Sequence, residues 1–245
     1  MKALLTLLLF AFNFVRAEPS KPYSVILYYQ ANPPYSFVKT QDQQGIFIDI
    51  FREISILTNL KFEFIPLSVA RGKLYFEQGK VDIEPGISPV WRKNERIQGL
   101  YSMSYATSKE IILSNQTQKI EHISQLYGQV IGKVRGYSYG EFDKHFGENK
   151  LIAANNKSEK MLMEQLYKNR FKYILISEAT AAYYISEANK YENFKEAFVV
   201  SEEPVAMRVH PQIAHLIPKL NQALSKLKSS GKIRAIYARY GYFME

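Results

Sequence analysis

The chain has 245 residues, with 32 lysines and arginines against 23 aspartates and glutamates, so its formal net charge is +9. It contains no cysteine, which excludes a disulfide scaffold, a thiolate metal site and a cysteine nucleophile. The length fits one large domain or two small ones, since a domain usually holds about 100 to 200 residues. The positive charge favours anionic partners without identifying one.

The N-terminal segment has the pattern of an export signal. Lys2 gives it a positive start, residues 3–15 are almost entirely apolar, and Val15 and Ala17 are small residues before the expected cleavage point. The apolar run is shorter than the roughly 20 residues that a membrane-spanning helix needs. We therefore expect a signal peptide of residues 1–17, cleaved after Ala17, and export to the periplasm.

Apolar periodicity in the next part of the chain alternates between strand and helix. Residues 23–29 form the apolar run of a buried strand, and residues 45–57 carry apolar side chains at helical spacing. Strand patterns recur at residues 61–65 and 81–83, on either side of a helical pattern at 70–78. Strands that alternate with helices favour a mainly parallel sheet.

A second alternating series begins near residue 109 and is apolar enough for its own core. A C-terminal helix is predicted over residues 213–227, with Pro218 starting or kinking it. Two series without a low-complexity linker predict two lobes with a short, ordered connection. The strands predicted in the second series are residues 109–113, 129–134, 151–153 and 173–176, and the helices are residues 141–146 and 158–167.

The order of several short motifs along the chain is specific. They are PPYSF at residues 33–37, Gly45 with Asp49, GKVD at 79–82, YSMSY at 101–105, residues 128–136 and residues 220–240. In this order they resemble the type II periplasmic solute-binding proteins of family 3, the receptors of polar amino acid uptake systems. The resemblance covers nearly the whole chain after the signal. It implies an α/β fold of two lobes, each a mainly parallel sheet flanked by helices, joined by two crossover strands.

The resemblance also implies how the chain is divided and what it does. Residues 18–108 and 204–245 would form the first lobe, and residues 109–203 the inserted second lobe. The protein would close on a small polar ligand, carboxylate-bearing as an amino acid is, and present it to an ABC permease, with a membrane sensor as the alternative partner. We expect a monomer that binds neither a cofactor nor nucleic acid. We also expect no metal site, because the four histidines lack a metal-binding spacing.

Candidate ligand contacts in the first lobe include an aromatic wall and a fixed cation. Tyr35 follows two prolines at a strand end, so its ring can cover an apolar part of a ligand. Arg92 lies where the resemblance places a carboxylate-binding arginine, with Arg96 as the alternative; a guanidinium can hold a carboxylate through two bonds. Arg92→Ala is expected to abolish binding and leave the unliganded melting temperature nearly unchanged. The other candidates are Arg71 as a second cation, Ser88 as a donor, and Glu84 as an acceptor for a ligand amine or a partner of Arg92.

The second lobe offers a loop between a predicted strand and a predicted helix. Backbone N–H groups at a helix start can hold an anion, so Gly136, Tyr137 and Ser138 are candidate carboxylate contacts. Ser177 stands where the resemblance implies an aspartate for the ligand's amino group. That departure leaves amino acids, other small carboxylates and polar compounds open as ligands, with Glu178 as a candidate replacement for the lost anion.

Two enzyme classes are alternatives to the receptor. Residues 136–140 read Gly-x-Ser-x-Gly, the pattern of a serine hydrolase elbow, and Glu178 with His210 or His215 would complete a triad. The absence of an upstream His-Gly oxyanion segment counts against this class. Periplasmic cyclohexadienyl dehydratases are also similar to these receptors, and Glu178 would then be the general acid, with a pKa raised in the closed cleft.

Overall fold

The computed structural model describes residues 21–28, 32–37 and 44–243. The expected signal peptide lies outside these residues. The strands of this part of the chain are β1 (Tyr23–Tyr28), β2 (Phe62–Leu67), β3 (Ile83–Ile87), β4 (Leu100–Tyr101), β5 (Ala106–Ser114), β6 (Val130–Val134), β7 (Ile152–Asn156), β8 (Tyr173–Ser177) and β9 (Lys195–Val209). The α-helices are α1 (Ile46–Thr58), α2 (Val69–Glu77), α3 (Asp143–Gly147), α4 (Glu159–Tyr167), α5 (Glu178–Glu187), α6 (Ile217–Ser229) and α7 (Lys232–Arg239).

Strand pairing runs without a break in the order β2-β1-β3-β9-β5-β8-β6-β7, and β4 also pairs with β9. β1 is parallel to β2 and β3, and β6 is parallel to β7 and β8. We call β1 to β4 with the last residues of β9 the first half, and β5 to β8 with the rest of β9 the second half. The α/β fold predicted from the sequence is confirmed, but the strands form one continuous mixed sheet instead of two mainly parallel ones, because β9 pairs antiparallel with β3, β4 and β5.

The two halves are joined by β5 and β9, which pair antiparallel from Ala106 opposite Val205 to Ser114 opposite Lys195. The register of this pair shifts between Glu110 and Ile111, and such bulges bend a strand locally. The lobe limits expected from the sequence, after residues 108 and 203, fall inside these two strands and stay a prediction.

Each half has its own hydrophobic clusters. In the first half, Ile46, Ile50 and Ile54 recur every four residues along α1, so one face of the helix is apolar and packs toward α6 and α7. In the second half, Leu162 and Leu166 lie on one apolar face of α4, which packs against β6 and β8. Burying one such side chain contributes about 1.5–3 kcal/mol, so these helical faces help to stabilise each half.

The turn at residues 32–37 is held against the start of α1. The backbone N–H groups of Ile46 and Phe47 donate to the carbonyls of Pro34 and Tyr35 at 3.0 and 3.1 Å. Gly45 has φ +132°, and a Cβ there would lie 2.5 Å from the Tyr35 carbonyl oxygen. Only glycine fits this close approach, so Gly45 fixes the position of Tyr35.

Two helices differ from the sequence expectation. The helix predicted at residues 141–146 is a 3₁₀ turn, Gly140–Phe142, followed by the short α3. The C-terminal helix begins at Ile217 after a 3₁₀ segment, and Pro218 lies in its first turn. Proline is tolerated there because the N–H it lacks would have no partner inside the helix.

Candidate functional site

A cavity lies between the two halves, beside β5 and β9. The carboxyl ends of β1 and β3 approach it from the first half, and those of β6 and β8 from the second. Side chains that follow parallel strands therefore meet there, as ligand-binding groups of α/β proteins commonly do. Its polar and aromatic lining includes Tyr28, Tyr35, Trp91, Arg92, Ser108, Glu110, Tyr137, Ser138, Tyr139, Glu159, Ser177 and Tyr237.

Tyr35 connects the two walls of this cavity. Its ring stacks on Phe47 with the centroids 5.1 Å apart, and it meets the Tyr237 ring edge-on at 6.5 Å. Its hydroxyl lies 3.3 Å from the hydroxyl of Ser177 in the second half. Burial raises the pKa of Tyr35 to about 12, so the group is a neutral hydroxyl at physiological pH.

Further contacts join the halves around the cavity. The Thr180 hydroxyl donates to the Asn32 amide oxygen at 3.1 Å, and the Tyr28 and Tyr137 rings are 6.1 Å apart. On the surface, Lys93 pairs with Glu141 at 2.5 Å. Contacts from several elements therefore hold the two halves together over the cavity.

Arg92 belongs to a buried ion cluster at one wall. Its Nε and Nη2 donate to the two Glu84 oxygens at 3.2 and 2.5 Å, and Arg208 Nη1 donates to Glu84 at 2.8 Å. The Tyr28 hydroxyl also donates to Glu84 and accepts from Arg92 at 3.1 Å. Arg92 is 5% exposed and Glu84 is 0% exposed. Both carboxylate oxygens of Glu84 thus accept hydrogen bonds from other side chains of the protein.

The charge balance of this cluster favours full ionisation. Burial alone would raise the pKa of Glu84, but the charges and hydrogen bonds of Arg92 and Arg208 outweigh it and hold this pKa at about 2. Two arginines against one carboxylate leave a formal charge of +1 at this wall. Arg92 lines the cavity, but most of its hydrogen-bonding capacity is used by Glu84, Tyr28 and the Trp91 carbonyl.

The opposite wall contains two buried carboxyl groups that sequence reasoning missed. Glu110 of β5 is 7% exposed and accepts a hydrogen bond from Ser108 at 3.0 Å. Burial raises its pKa to about 8, the Ser108 bond opposes that rise, and the charge of Glu159 adds to it. Glu159 of α4 is 5% exposed, accepts from the Tyr137 hydroxyl at 2.7 Å, and has its pKa raised by burial.

Neither carboxyl group has a cation against it. Within residues 21–28, 32–37 and 44–243, no ion pair involves Glu110 or Glu159. The sequence signal for Glu110 was weak because it is one acidic residue beside an apolar run. Glu159 is the first residue of α4, where an acid is ordinarily read as a partner of the helix dipole.

The loop after β6 contains three predicted ligand contacts, of which two line the cavity and one does not. Gly136 is exposed, with φ +85°, and faces Val69 of the first half. Tyr137 lines the cavity, but its backbone N–H donates to the Val134 carbonyl at 3.3 Å. Ser138 also lines the cavity, and its hydroxyl donates to Asp143 at 2.9 Å.

The groups of a hydrolase triad are not hydrogen-bonded to one another. Ser138 donates to Asp143, whereas Glu178 pairs with Lys109 at 2.8 Å and accepts from the Tyr242 hydroxyl at 3.0 Å. His210 is buried against the Phe76 ring. A triad requires its serine and histidine to be in contact, and this arrangement has no such contact within the described residues.

Five of the ten predicted site residues line the cavity, and five do not. Arg71 is exposed on α2, and the Ser88 hydroxyl donates to Glu203 at 3.3 Å. The alternative arginine, Arg96, is exposed and pairs with Glu77. The residues in the lining are Tyr35, Arg92, Tyr137, Ser138 and Ser177, and those outside it are Arg71, Glu84, Ser88, Gly136 and Glu178. Their roles toward a ligand stay predictions.

The described part of the chain contains no group of three or more histidine or acidic side chains arranged to hold a metal ion. None of its helices has both the length and the apolar character needed to cross a bilayer.

A mixed α/β sheet with flanking helices and a cavity at the ends of its parallel strands is found in periplasmic binding proteins. The profile of the bacterial extracellular solute-binding proteins, family 3, matches residues 25–243. The chain belongs to this family, as the motifs predicted. Comparison with curated proteins found no match.

Solved structures agree with the fold. A histidine kinase sensor domain with similarity to periplasmic binding proteins has a TM-score of 0.76 at 18% identity, over 92% of this chain and 98% of that one. A substrate-binding protein of an ABC uptake transporter from Streptococcus pneumoniae, with bound histidine, has 0.76 at 16%, over 91% and 94%. An arginine transport-system binding protein from Legionella pneumophila has 0.74 at 19%, over 90% and 100%. At these identities the similarity concerns the fold alone.

Proposed function

We propose that the protein is a periplasmic receptor that closes on one small polar ligand between its two halves. One observation carries this proposal: the cavity has walls from both halves, and the Tyr35 and Ser177 hydroxyls meet across it at 3.3 Å. A ligand in this cavity touches both halves at once. It therefore stabilises the closed form relative to an open one, so ligand binding shifts the conformational equilibrium toward closure.

The closed shape is what a membrane partner would recognise. We propose an ABC permease as that partner, in keeping with the family and with neighbours that serve uptake transporters. A membrane sensor is the alternative, because the same fold occurs in a kinase sensor domain. We expect the receptor to act as a monomer.

Binding has better support than catalysis at this site. Glu178, the acid proposed for a dehydratase, pairs with Lys109 and Tyr242 and does not line the cavity. Ser138 has no histidine partner among the described residues. The cavity lining is aromatic and hydrogen-bonding, as expected for a site that holds a small molecule in a fixed orientation.

The test is a thermal-shift screen of the purified protein with amino acids, dicarboxylates, amines and other small polar metabolites. A ligand at 100 times its Kd should stabilise the folded state by about 2.7 kcal/mol. Calorimetry should then give one site per chain, and small-angle X-ray scattering should show a smaller radius of gyration. Mass spectrometry of the recovered ligand should show it unchanged.

A matched pair of variants locates the site. Ser177→Phe places a ring in the cavity at the end of β8, whereas Ser186→Phe adds the same ring at an exposed position of the following helix, α5. We expect Ser177→Phe to lose binding with its unliganded unfolding temperature within a few degrees of wild type, and Ser186→Phe to bind normally. Equal binding by wild type and Ser177→Phe would disprove this site.

A further inference from the structure

The two walls of the cavity differ in whether their charges are paired. At the first-half wall, Arg92 already has a carboxylate partner, Glu84, which Arg208 also contacts at 2.8 Å. At the second-half wall, Glu110 and Glu159 are both buried, and their hydrogen-bond donors are hydroxyl groups, Ser108 and Tyr137. The carboxyl groups that lack a cationic partner therefore lie at the second-half wall of the cavity.

Buried carboxylates without a counter-ion are costly. A protein normally pairs such groups or keeps them protonated. The pKa of Glu110 is raised to about 8 by burial, with a contribution from the charge of Glu159, which is the consequence expected when two acids share a site without a cation. A positively charged group in the cavity would relieve both effects.

Exposed cations near the mouth do not fill this role. Arg135 and Lys157 line the outer, adjoining cavity together with Glu159, but both are exposed and neither forms an ion pair with Glu159. Lys133 pairs with Asp143 at 3.4 Å. The counter-charge for the two buried carboxyls is thus not supplied by the described side chains around them.

Aromatic rings surround the same position. Tyr137 and Tyr139 line the cavity with Glu110 and Glu159, and Tyr35 lines it from the first half. The face of an aromatic ring attracts a cation, most strongly where water is excluded. Carboxylates framed by tyrosine rings form a site for an organic cation, since both kinds of group favour positive charge.

We propose that the ligand carries a protonated amine or a guanidinium, and that this cation is bound by the carboxylates of Glu110 and Glu159 against the tyrosine rings. This inference rests on the proposed receptor function and specifies its ligand class. It also places the cation at β5 and α4, away from the end of β8, where Ser177 and Glu178 were the sequence candidates. Arg92 then forms the opposite wall as a paired group.

The test is calorimetry at pH 8.5 with four probes of defined charge. The cationic probes are 1,4-diaminobutane and L-arginine, and the acidic probes, which carry no amine, are glutarate and succinate. We expect one or both cationic probes to bind and the acidic probes to bind at least tenfold more weakly. A diamine that binds without a carboxylate would show that the cation alone is sufficient, and binding of L-arginine only would show that a carboxylate is needed as well. Either result supports the cation site.

Two isosteric variants assign the cation to these carboxylates. Glu110→Gln and Glu159→Gln should each weaken the cationic probe at least tenfold, whereas Glu202→Gln, an exposed acid on β9 outside the cavity, should not change it. The unliganded Glu110→Gln protein should be as stable as wild type or more so at this pH, which a purely structural role would not produce.

Three results would overturn the cation site, and they differ in what they mean for the receptor. Tight binding of an acidic probe, unaffected by both glutamine variants, would reject the cation site and keep the receptor. Normal binding of a cation by both variants would do the same, and would identify the two glutamates as neutral structural groups. Failure of every probe and of the wider screen to bind or to compact the protein would count against both proposals.

Discussion

The hydroxyl of Tyr35 lies 3.3 Å from that of Ser177, and this contact joins two residues 142 positions apart in the chain. Tyr35 is fixed by the close approach of Gly45 and by its stacking on Phe47. Ser177 ends β8 and precedes α5 without capping it through its side chain. The contact between the two hydroxyls joins the two halves across the cavity, so it should break when the halves open.

Tyr35→Phe and Ser177→Ala should each weaken ligand binding about three- to tenfold. A net hydrogen bond of about 1 kcal/mol corresponds to a factor of about five in affinity. The double variant should be no weaker than either single one, because all three lack the same bond. Calorimetry on the four proteins measures this cycle, and additive losses would show that the two hydroxyls act independently.

The stability of the unliganded protein should fall as pH rises from about 4.5 to about 8. The pKa of Glu110 is raised from an ordinary 4.5 to about 8 in the folded protein, so the folded state holds a proton that the unfolded state has released. Its stabilising effect is complete below pH 4.5 and is lost as pH passes 8. The total effect is at most about 5 kcal/mol, at about 1.4 kcal/mol for each pH unit.

Urea unfolding at pH 5, 6.5 and 8 measures this slope. The groups facing Glu110 are Ser108, Glu159, Tyr35 and Tyr139, and the tyrosines stay protonated over this range. Glu110→Gln should therefore make the slope smaller, with the remainder coming from Glu159, whose pKa is also raised by burial, whereas Glu202→Gln should retain the full slope. An unchanged slope in Glu110→Gln would assign the pH dependence elsewhere.

Arg92→Ala should destabilise the protein by roughly 3 kcal/mol. Removing one partner of a buried ion pair leaves an incompletely compensated charge, although Arg208 still bonds to Glu84. The sequence alone predicts the opposite, a nearly unchanged melting temperature, because it does not show that Arg92 is buried against Glu84. Thermal unfolding decides between the two.

Arg96→Ala is the matched control for that experiment. Arg96 pairs with Glu77 but is exposed, and such surface pairs contribute about 0–1 kcal/mol. If Arg92→Ala and Arg96→Ala unfold at the same temperature, the buried cluster contributes little to stability, and Arg92→Ala becomes a clean probe of ligand binding.

Gly86→Ala should reduce ligand affinity by at least tenfold and lower stability by about 1–3 kcal/mol. Gly86 lines the cavity with φ +61°, and a Cβ there would lie 2.4 Å from the Phe47 ring, so the ring that supports Tyr35 has to move. Gly128→Ala is a control for the backbone alone, because Gly128 has φ +78° with open space around it. Equal effects of the two changes on binding would contradict a role for Phe47.

Most elements of the fold followed from local sequence patterns. The isoleucines of α1 and the alternation near β2 are repeated within a few residues, so each window of sequence carries its own signal. Contacts between side chains that are far apart in the sequence have no such local signal. Arg208 meets Glu84 from 124 positions away, and its one sequence signal is a single charge within the apolar end of β9.

Only part of the candidate site was predicted, because contacts between residues far apart in the sequence leave no local pattern. Tyr35, Arg92 and Ser177 were found because motif order fixed their places relative to strand ends. Glu110 was missed because nothing near it in sequence shows that Glu159 faces the same cavity. Burial and the proximity of like charges are properties of the folded chain, and they decide which acids are unpaired.

Glu110 lies at the register shift of the strand pair that joins the two halves. If the halves open by bending at this point, a group beside the pivot moves through a short arc, whereas Tyr35 and Ser177 swing through longer ones. A ligand that first binds to Glu110 would stay in place while Tyr35 and Ser177 moved toward it. Binding and closure of the cavity would then be two successive steps of one rotation.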